Sequence, residues 1–226
     1  MRVLGIDTAT RHASIGLCED DEILSERTDK DARSHATSTL PLIERVLVDA
    51  GIGITDVDAI AVSSGPGSFT GLRIGLSIAK GFACATGARL VGVSTLEALA
   101  RAVRDRTGTV CTLLDARKGE VYAACFDVAP GSVRRRWNDV VTTPDVVATR
   151  LPASCMIVGD AEAAYGSFFR SKLGAGLAFL SFDAYGPRGG VVARMGAEAV
   201  RAGRAIDPSQ LEPAYIRLSE AEQLYG

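Results

Sequence analysis

The sequence predicts an α/β protein of two lobes, each a mixed sheet flanked by helices, and three observations carry that prediction. Three short apolar or β-branched runs, residues 2–7, 13–19 and 22–27, follow one another with only turn residues between them, the pattern of an antiparallel meander. From residue 34 to 103, apolar repeats then alternate as helix, strand, helix, strand, helix. After the polar stretch Arg104–Gly108 a fresh pair of strand-like runs begins at Val110, as if the plan restarts. The opening meander excludes a doubly wound sheet, whose strands are joined by crossover helices.

Each element has a local reason. Thr10 and the Glu19–Asp20–Asp21 cluster punctuate the meander as turns. Leu40, Ile43, Leu47 and Ala50 recur at helical spacing and Gly51 stops the run, so residues 34–50 form an amphipathic helix, kinked in its first turns by Pro41. Val57 to Ser63 is a buried strand, followed by a glycine-rich turn, a long apolar helix from Phe69 to Ala85 and a C-capping Gly87. A strand at 90–93 and a helix at 95–103 complete a first lobe, set at residues 1–106. The second lobe, 107–226, is shorter and more irregular: strands at 110–114 and 121–126, Thr143 and Pro144 as N-cap and first helical position, a strand at 156–158, and a last helix at 191–202 that can pack back on the first lobe. This order is the half-domain plan of the actin, hexokinase and Hsp70 superfamily, so the expected architecture is actin-like (ASKHA, ribonuclease H-like).

Composition narrows the function. The chain has 226 residues, 47% apolar and 23% charged, in the range of globular domains. A net charge of -2 and a pI near 5.8 argue against a chain that clamps phosphate backbones unaided, so any nucleic-acid role is expected to be indirect. Five dispersed cysteines without a Cys-x-x-Cys fit buried thiols in a reducing compartment. Asp7 interrupts the N-terminal run before a signal-peptide core could form, and no uncharged apolar stretch is of membrane-spanning length, so a cytoplasmic protein is expected. His12 and His35 lack neighbours at ligand spacing, which makes a catalytic metal improbable.

The most informative segment is Ser63–Gly75, a glycine-rich turn between strand and helix. A helix N-terminus with Gly65, Gly67 and Ser68 can hold an anion on its exposed N–H groups, and it can equally be a tight strand-to-helix connection. A dinucleotide fold is not supported, because the next strand ends Gly92–Val93–Ser94 without the ribose-holding acid, and no P-loop pattern exists. Asp7 and Thr8 lie at the first hairpin, where actin-like ATPases place an Asp-x-Gly-Thr phosphate loop, but Ala9 replaces the glycine. The second hairpin, after Asp115, lacks that loop's glycine pair and threonine. Gly189–Gly190 reads either as an adenosine loop or as an ordinary turn into a helix. Asp115 with Glu120, or Asp7 with Asp20, read as acid-base pairs less simply than as solvated turn carboxylates. Arg134–Arg135–Arg136 beside Trp137 admits an RNA contact, with a solvated strand end as the simpler reading.

The helix beginning at Phe69 carries a small-residue row, Gly71, Gly75, Ala79 and Ala83, that lets another backbone approach, and an apolar row, Ile74, Ile78 and Phe82. It is therefore expected to be buried nearly all round. The helix at 34–50 shows a second apolar set, Leu42 and Val46, beyond the stripe that faces the sheet. Side by side, these helices make an apolar platform for a protein partner; the alternative is cover by the second lobe.

Gly65–Pro66–Gly67–Ser68–Phe69–Thr70–Gly71–Leu72–Arg73–Ile74–Gly75, with Gly5–Ile6–Asp7–Thr8 before it and Pro213–Ala214–Tyr215–Ile216–Arg217 near the end, resembles the TsaB (YeaZ) family. The likeness is strongest over residues 1–126. It implies a role in making threonylcarbamoyladenosine beside the tRNA anticodon, as a non-catalytic partner or scaffold of a TsaD-type transferase, with a TsaE-type ATPase joining them. It also implies a homodimer when the chain is alone, tRNA met only indirectly through the complex, and no cofactor of its own, with ATP or ADP allowed at the subunit joint. The TsaD family shares the Gly-Pro-Gly turn, but alignment puts Thr95 and Leu99 where its metal-binding His-x-x-x-His would fall, and leucine cannot coordinate. In the resembling family both first-lobe helices pack on the partner, which assigns Leu42, Val46, Phe69, Thr70, Gly71, Arg73, Ile74, Gly75, Ile78 and Phe82 to the contact. Asp7, Thr8, Gly65, Gly67 and Ser68 stand as remnants of a nucleotide loop. The alternatives kept are an actin-like ATPase or small-molecule kinase, and a peptidase-like enzyme acting on its partner.

Overall fold

In a computed structural model the opening runs form the meander β1 (Arg2–Asp7), β2 (Ala13–Glu19) and β3 (Glu22–Asp29). The structure describes residues 1–30, 34–186 and 188–216. β1 is buried from Val3 onward and β2 up to Cys18, whereas β3 has no fully buried residue. That difference follows from position: β3 is an edge strand, and its charges discourage pairing with another chain. α1 (His35–Asp49), β4 (Ala59–Gly65), α2 (Phe69–Thr86), β5 (Arg89–Ser94) and α3 (Thr95–Ala102) follow. β4 runs parallel to β1 and β5 parallel to β4, giving the sheet order β3-β2-β1-β4-β5. α1 continues through Pro41, and Gly87 ends α2 in the left-handed conformation, its N–H on the Ala83 carbonyl at 2.9 Å.

A second mixed sheet, β10-β9-β6-β7-β8, is built from β6 (Gly108–Arg117), β7 (Glu120–Ala129), β8 (Ser132–Thr142), β9 (Cys155–Val158) and β10 (Leu177–Leu180). α4 (Pro144–Arg150) and α5 (Glu162–Leu173) supply Val147 and Phe169 to one face, against Cys111, Leu113, Val121, Ala123 and Ile157. α6 (Phe182–Tyr185) and α7 (Gly189–Arg201) complete the described chain.

Strand periodicity assigns the faces of the first sheet. Leu4, Ile6, Ile15, Leu17, Ile60 and Val62 meet Ile43, Val46, Leu72 and Leu76 of α1 and α2, while Val3, Ala59, Ala61 and Val91 meet Val192, Ala193 and Val200 of α7. Two compact units result: Met1–Ala98 with Pro187–Pro213, and Leu99–Gly186 with the described residues from Ala214 on. The break expected after residue 106 thus falls inside α3, and α7 joins the first unit. Among the described residues, no helix is long and apolar enough to cross a membrane.

Candidate functional site

The glycine-rich turn is packed against the chain's own first hairpin. Ser68 N–H donates to the Ala9 carbonyl at 2.7 Å, and Ser68 caps α2 by accepting the Gly71 N–H at 3.2 Å on its hydroxyl. A Cβ on Gly67 would sit 2.3 Å from the Ala9 oxygen, one on Gly71 2.0 Å from the Thr8 oxygen, and one on Gly75 2.3 Å from Thr8 Oγ1. Thr8 Oγ1 donates to the Gly71 carbonyl at 2.7 Å, tying the turn to the helix. The small-residue row therefore does admit another backbone, that of residues 8 and 9 of the same unit. This corrects the placement of Gly71 and Gly75 on a partner face, because both are buried against Thr8.

Asp7 sits beneath this turn. Its Oδ1 accepts the Ala9 N–H at 3.0 Å, while Oδ2 makes no hydrogen bond. The nearby Ser63 hydroxyl lies outside hydrogen-bonding geometry and is also without a partner. Burial pushes the Asp7 carboxyl above its ordinary range, with the Ala9 amide opposing that shift in part. His35, at the start of α1, binds the Thr10 carbonyl oxygen through Nε2 at 2.8 Å, so both helices begin on the same hairpin turn.

The other loops are filled in the same way. Gly189 N–H donates to Ser14 Oγ at 2.9 Å and Gly190 N–H to Glu26 Oε1 at 2.7 Å, so a hydroxyl and a carboxylate of this chain occupy the α7 N-terminus. A Cβ on Gly16 would lie 2.1 Å from the Gly190 nitrogen, and one on Gly5 2.1 Å from the Gly189 oxygen. These glycines let α7 lie directly on β1 and β2. The second hairpin turns through Arg117, Lys118 and Gly119, all with positive φ, with Asp115 accepting the Arg117 N–H at 2.8 Å. An actin-like fold implies a nucleotide, but the Ala9 N–H of the first hairpin is bonded to Asp7, the Ser68 N–H of the glycine-rich turn to Ala9, and the Gly189 and Gly190 N–H groups of the candidate adenosine loop to Ser14 and Glu26. The residues of these loops do not fit that group.

The outer surface of α1 and α2 differs from the expected pattern in phase. Ile43, Val46 and Leu47 face the sheet, so Val46, expected to touch a partner, is a fully buried core residue. Leu42, Ile78 and Phe82 pack at the edge of that core and remain half-buried, as does Ile74. Leu40, at 50% exposure, and Phe69, at 48%, stand out from the first turns of the two helices, with Val48 further along α1. Thr70 and Arg73 are exposed beside them, and the Arg73 guanidinium lies 3.7 Å over the Phe69 ring. In the chain alone α2 is not buried all round: Ser77, Gly81, Cys84 and Ala85 also face outward. Helical spacing with Ile43 and Leu47 puts Leu40 on the inward stripe, but i, i+3, i+7 spacing alone does not say which of two adjacent stripes meets the sheet.

Thr95 and Leu99 are buried at the start of α3. Among the described residues, no group of three His, Cys, Asp or Glu side chains comes together as a metal cluster. Cys84 is exposed, and Cys18, Cys111, Cys125 and Cys155 are buried as thiols, Cys18 and Cys155 pushed up by burial to about 11. Of the C-terminal motif, Arg217 lies outside the described residues. Sequence reasoning missed Ser14 and Glu26 as caps of α7, since contacts spanning some 170 residues leave no local signal.

A family model described as TsaD, tRNA N6-adenosine threonylcarbamoyltransferase, matches residues 22–163. The tRNA threonylcarbamoyladenosine biosynthesis protein TsaB of Escherichia coli is 30% identical, over 96% of this chain and 95% of its own. YeaZ from Pseudomonas aeruginosa superposes with a TM-score of 0.79 at 28% identity, over 95% of this chain and 99% of its own. The ROK hexokinase from Thermus thermophilus shares the fold alone, with a TM-score of 0.52 at 13% identity over 90% of this chain and all of its own. The two-sheet architecture is thus actin-like, and the chain belongs to the TsaB (YeaZ) family of tRNA threonylcarbamoyladenosine biosynthesis proteins.

Proposed function

We propose that the chain serves tRNA threonylcarbamoyladenosine biosynthesis in the cytoplasm as a non-catalytic subunit, docking a TsaD-type transferase through the outer face of α1 and α2. One observation carries the proposal. The two helices start together on one hairpin turn and leave Leu40 and Phe69 exposed, with Leu42, Ile74, Ile78 and Phe82 half-buried behind them. Exposed apolar surface of this kind on adjacent helices is characteristic of a covered interface, and two helix faces can supply a standard one of about 1,600 Å². In the chain alone the same face pairs with a second copy, and a TsaE-type ATPase joins the assembled pair. The non-catalytic role draws support from loops whose phosphate-facing donors are bonded within the chain, and from Thr95 and Leu99 at the positions aligned with the transferase's metal ligands.

Reconstituting the modification with purified TsaD-type and TsaE-type subunits tests this. Omitting the chain should abolish threonylcarbamoylation, and Ile78→Glu or Leu42→Glu should mimic the omission while circular dichroism shows the variant to be a folded monomer. Full activity of both variants, with an unchanged complex on gel filtration, would overturn the docking surface.

A further inference from the structure

The second unit carries a basic and aromatic surface that partner docking does not use. β8 bulges against β7 between Phe126 and Cys125, placing Arg134 and Arg136 beside one carboxylate, Asp127, at 3.0 and 3.5 Å. Arg136 Nη1 also donates to Thr109 Oγ1 at 3.0 Å. From α4, Arg150 places its guanidinium 4.2 Å over the ring of Trp137, the only tryptophan of the chain. Across β7, Trp137 is the register partner of Cys125 and Arg134 that of Asp127. The Arg134–Arg136–Asp127 cluster and the Arg150–Trp137 stack are therefore neighbours along the β7–β8 pair. Two cations, Arg134 and Arg136, share the single carboxylate of Asp127, and the Arg134 side chain is 81% exposed. Residues 99–186 hold eleven Lys and Arg against nine Asp and Glu, while the rest of the chain holds fourteen against eighteen. The basic excess thus lies in residues 99–186 although the whole chain is weakly acidic, and with residues 214–226 the unit holds twelve Lys and Arg against eleven Asp and Glu.

We propose that Arg134, Arg136, Trp137 and Arg150 form an RNA contact surface that holds the tRNA substrate, through its phosphates and an unpaired base, within the modifying complex. The proposal rests on the reading that this chain works in tRNA modification. The chemistry is that of single-stranded recognition: phosphates displace Asp127 from Arg134 and Arg136, and a splayed base stacks on the Arg150–Trp137 pair. Stacking on the indole fixes the guanidinium plane in advance, which lowers the ordering cost on binding. Two such phosphate contacts are too few for tight binding by the chain alone, consistent with its overall charge, but enough to orient an RNA already held by the partner.

Trp137 makes the test direct. In the isolated chain at about 50 mM salt, an anticodon stem-loop oligonucleotide should quench its fluorescence. Quenching should fade at about 200 mM salt and be lost in Arg150→Gln, with polyglutamate giving no quench. In the assembled complex, Arg134→Glu and the triple variant Arg134→Gln, Arg136→Gln, Arg150→Gln should weaken tRNA binding about tenfold. The triple variant should also lower the slope of log affinity against log salt by about 2, with subunit assembly intact. Arg134→Glu changes a solvent-facing residue and leaves folding out of the question. Absence of quenching with an unchanged salt slope overturns the proposal, as does equal quenching by polyglutamate or loss of subunit assembly in the triple variant, either of which marks a surface for an acidic protein. Because the isolated-chain experiment needs no partner subunit, its failure is separable from failure of the docking reading.

Discussion

If the glycine row of α2 exists for the chain's own hairpin, then Gly75→Ala and Thr8→Ala must be coupled. An alanine Cβ at position 75 would approach Thr8 Oγ1 to 2.3 Å, about 1 Å inside normal contact, and Val62 to an acceptable 3.5 Å. Oγ1 cannot simply rotate away, because it donates to the Gly71 carbonyl at 2.7 Å. Alanine in a helix interior gains about 1 kcal/mol over glycine, but overpacking of this kind costs about 1–3 kcal/mol, so Gly75→Ala should be net destabilising. Thr8→Ala alone removes that side-chain bond from a carbonyl the helix still engages, a loss of about 0.5–1.5 kcal/mol. In the double variant the overlap vanishes while the helical gain remains, so it should be less destabilised than the sum by about 1 kcal/mol or more. Trp137 reports on the second unit, so the readout is amide hydrogen exchange of peptides from 69–86, where 1 kcal/mol is roughly a fivefold change in opening. Additive effects, or Gly75→Ala exchanging no faster than the parent, would refute the packing argument.

The remaining predictions concern charge, turn chemistry and thiols. Burial raises the Asp7 carboxyl in the folded state, so the native protein holds this proton more tightly than the unfolded chain, and its contribution to stability declines as pH rises from the ordinary value of 3.8 through the folded one. Asp7→Asn keeps an acceptor for the Ala9 N–H and should be neutral or stabilising at pH 7, with that part of the decline absent from melting curves taken across the acid range. Lys118→Asn places Asn-Gly in a hairpin turn where residue 118 has φ 54°, and should raise stability by about 0.5–1 kcal/mol in urea unfolding followed through Trp137. At pH 8 a thiol reagent should label one cysteine rapidly, Cys84, and addition of the TsaD-type subunit should slow that labelling at least about tenfold, read by intact mass.

Much of the fold was legible because its rules are local. The meander, the helix at 35–49, the buried β4 and the capped α2 each follow from periodicity and from Gly51 and Gly87, and their observed bounds lie within two residues of the expected ones. Less was legible in the second unit, where β8 alternates charged and half-buried residues, and β10 and α6 are four residues each, too short for period to speak. The face assignment on α1 failed at Val46 because that residue and Leu40 both satisfy helical spacing to Ile43, and only packing on β2 decides between them. The glycines of 65–75 were visible as a motif, but their reason, the Thr8 and Ala9 oxygens, lies about sixty residues away. The Arg150–Trp137 pair likewise required the fold, since nothing in a seven-residue helix announces which ring lies beneath its last side chain.

The docking of α1 and α2 is tested most directly by site-specific photo-crosslinking. A photoreactive phenylalanine analogue placed at Phe69 or at Ile78, in a mixture with the TsaD-type subunit, should give a heterodimeric adduct in high yield, while the same analogue at Leu24 on β3 gives none. Crosslinks from Leu24 with none from positions 69 and 78 would place the partner elsewhere and contradict the account.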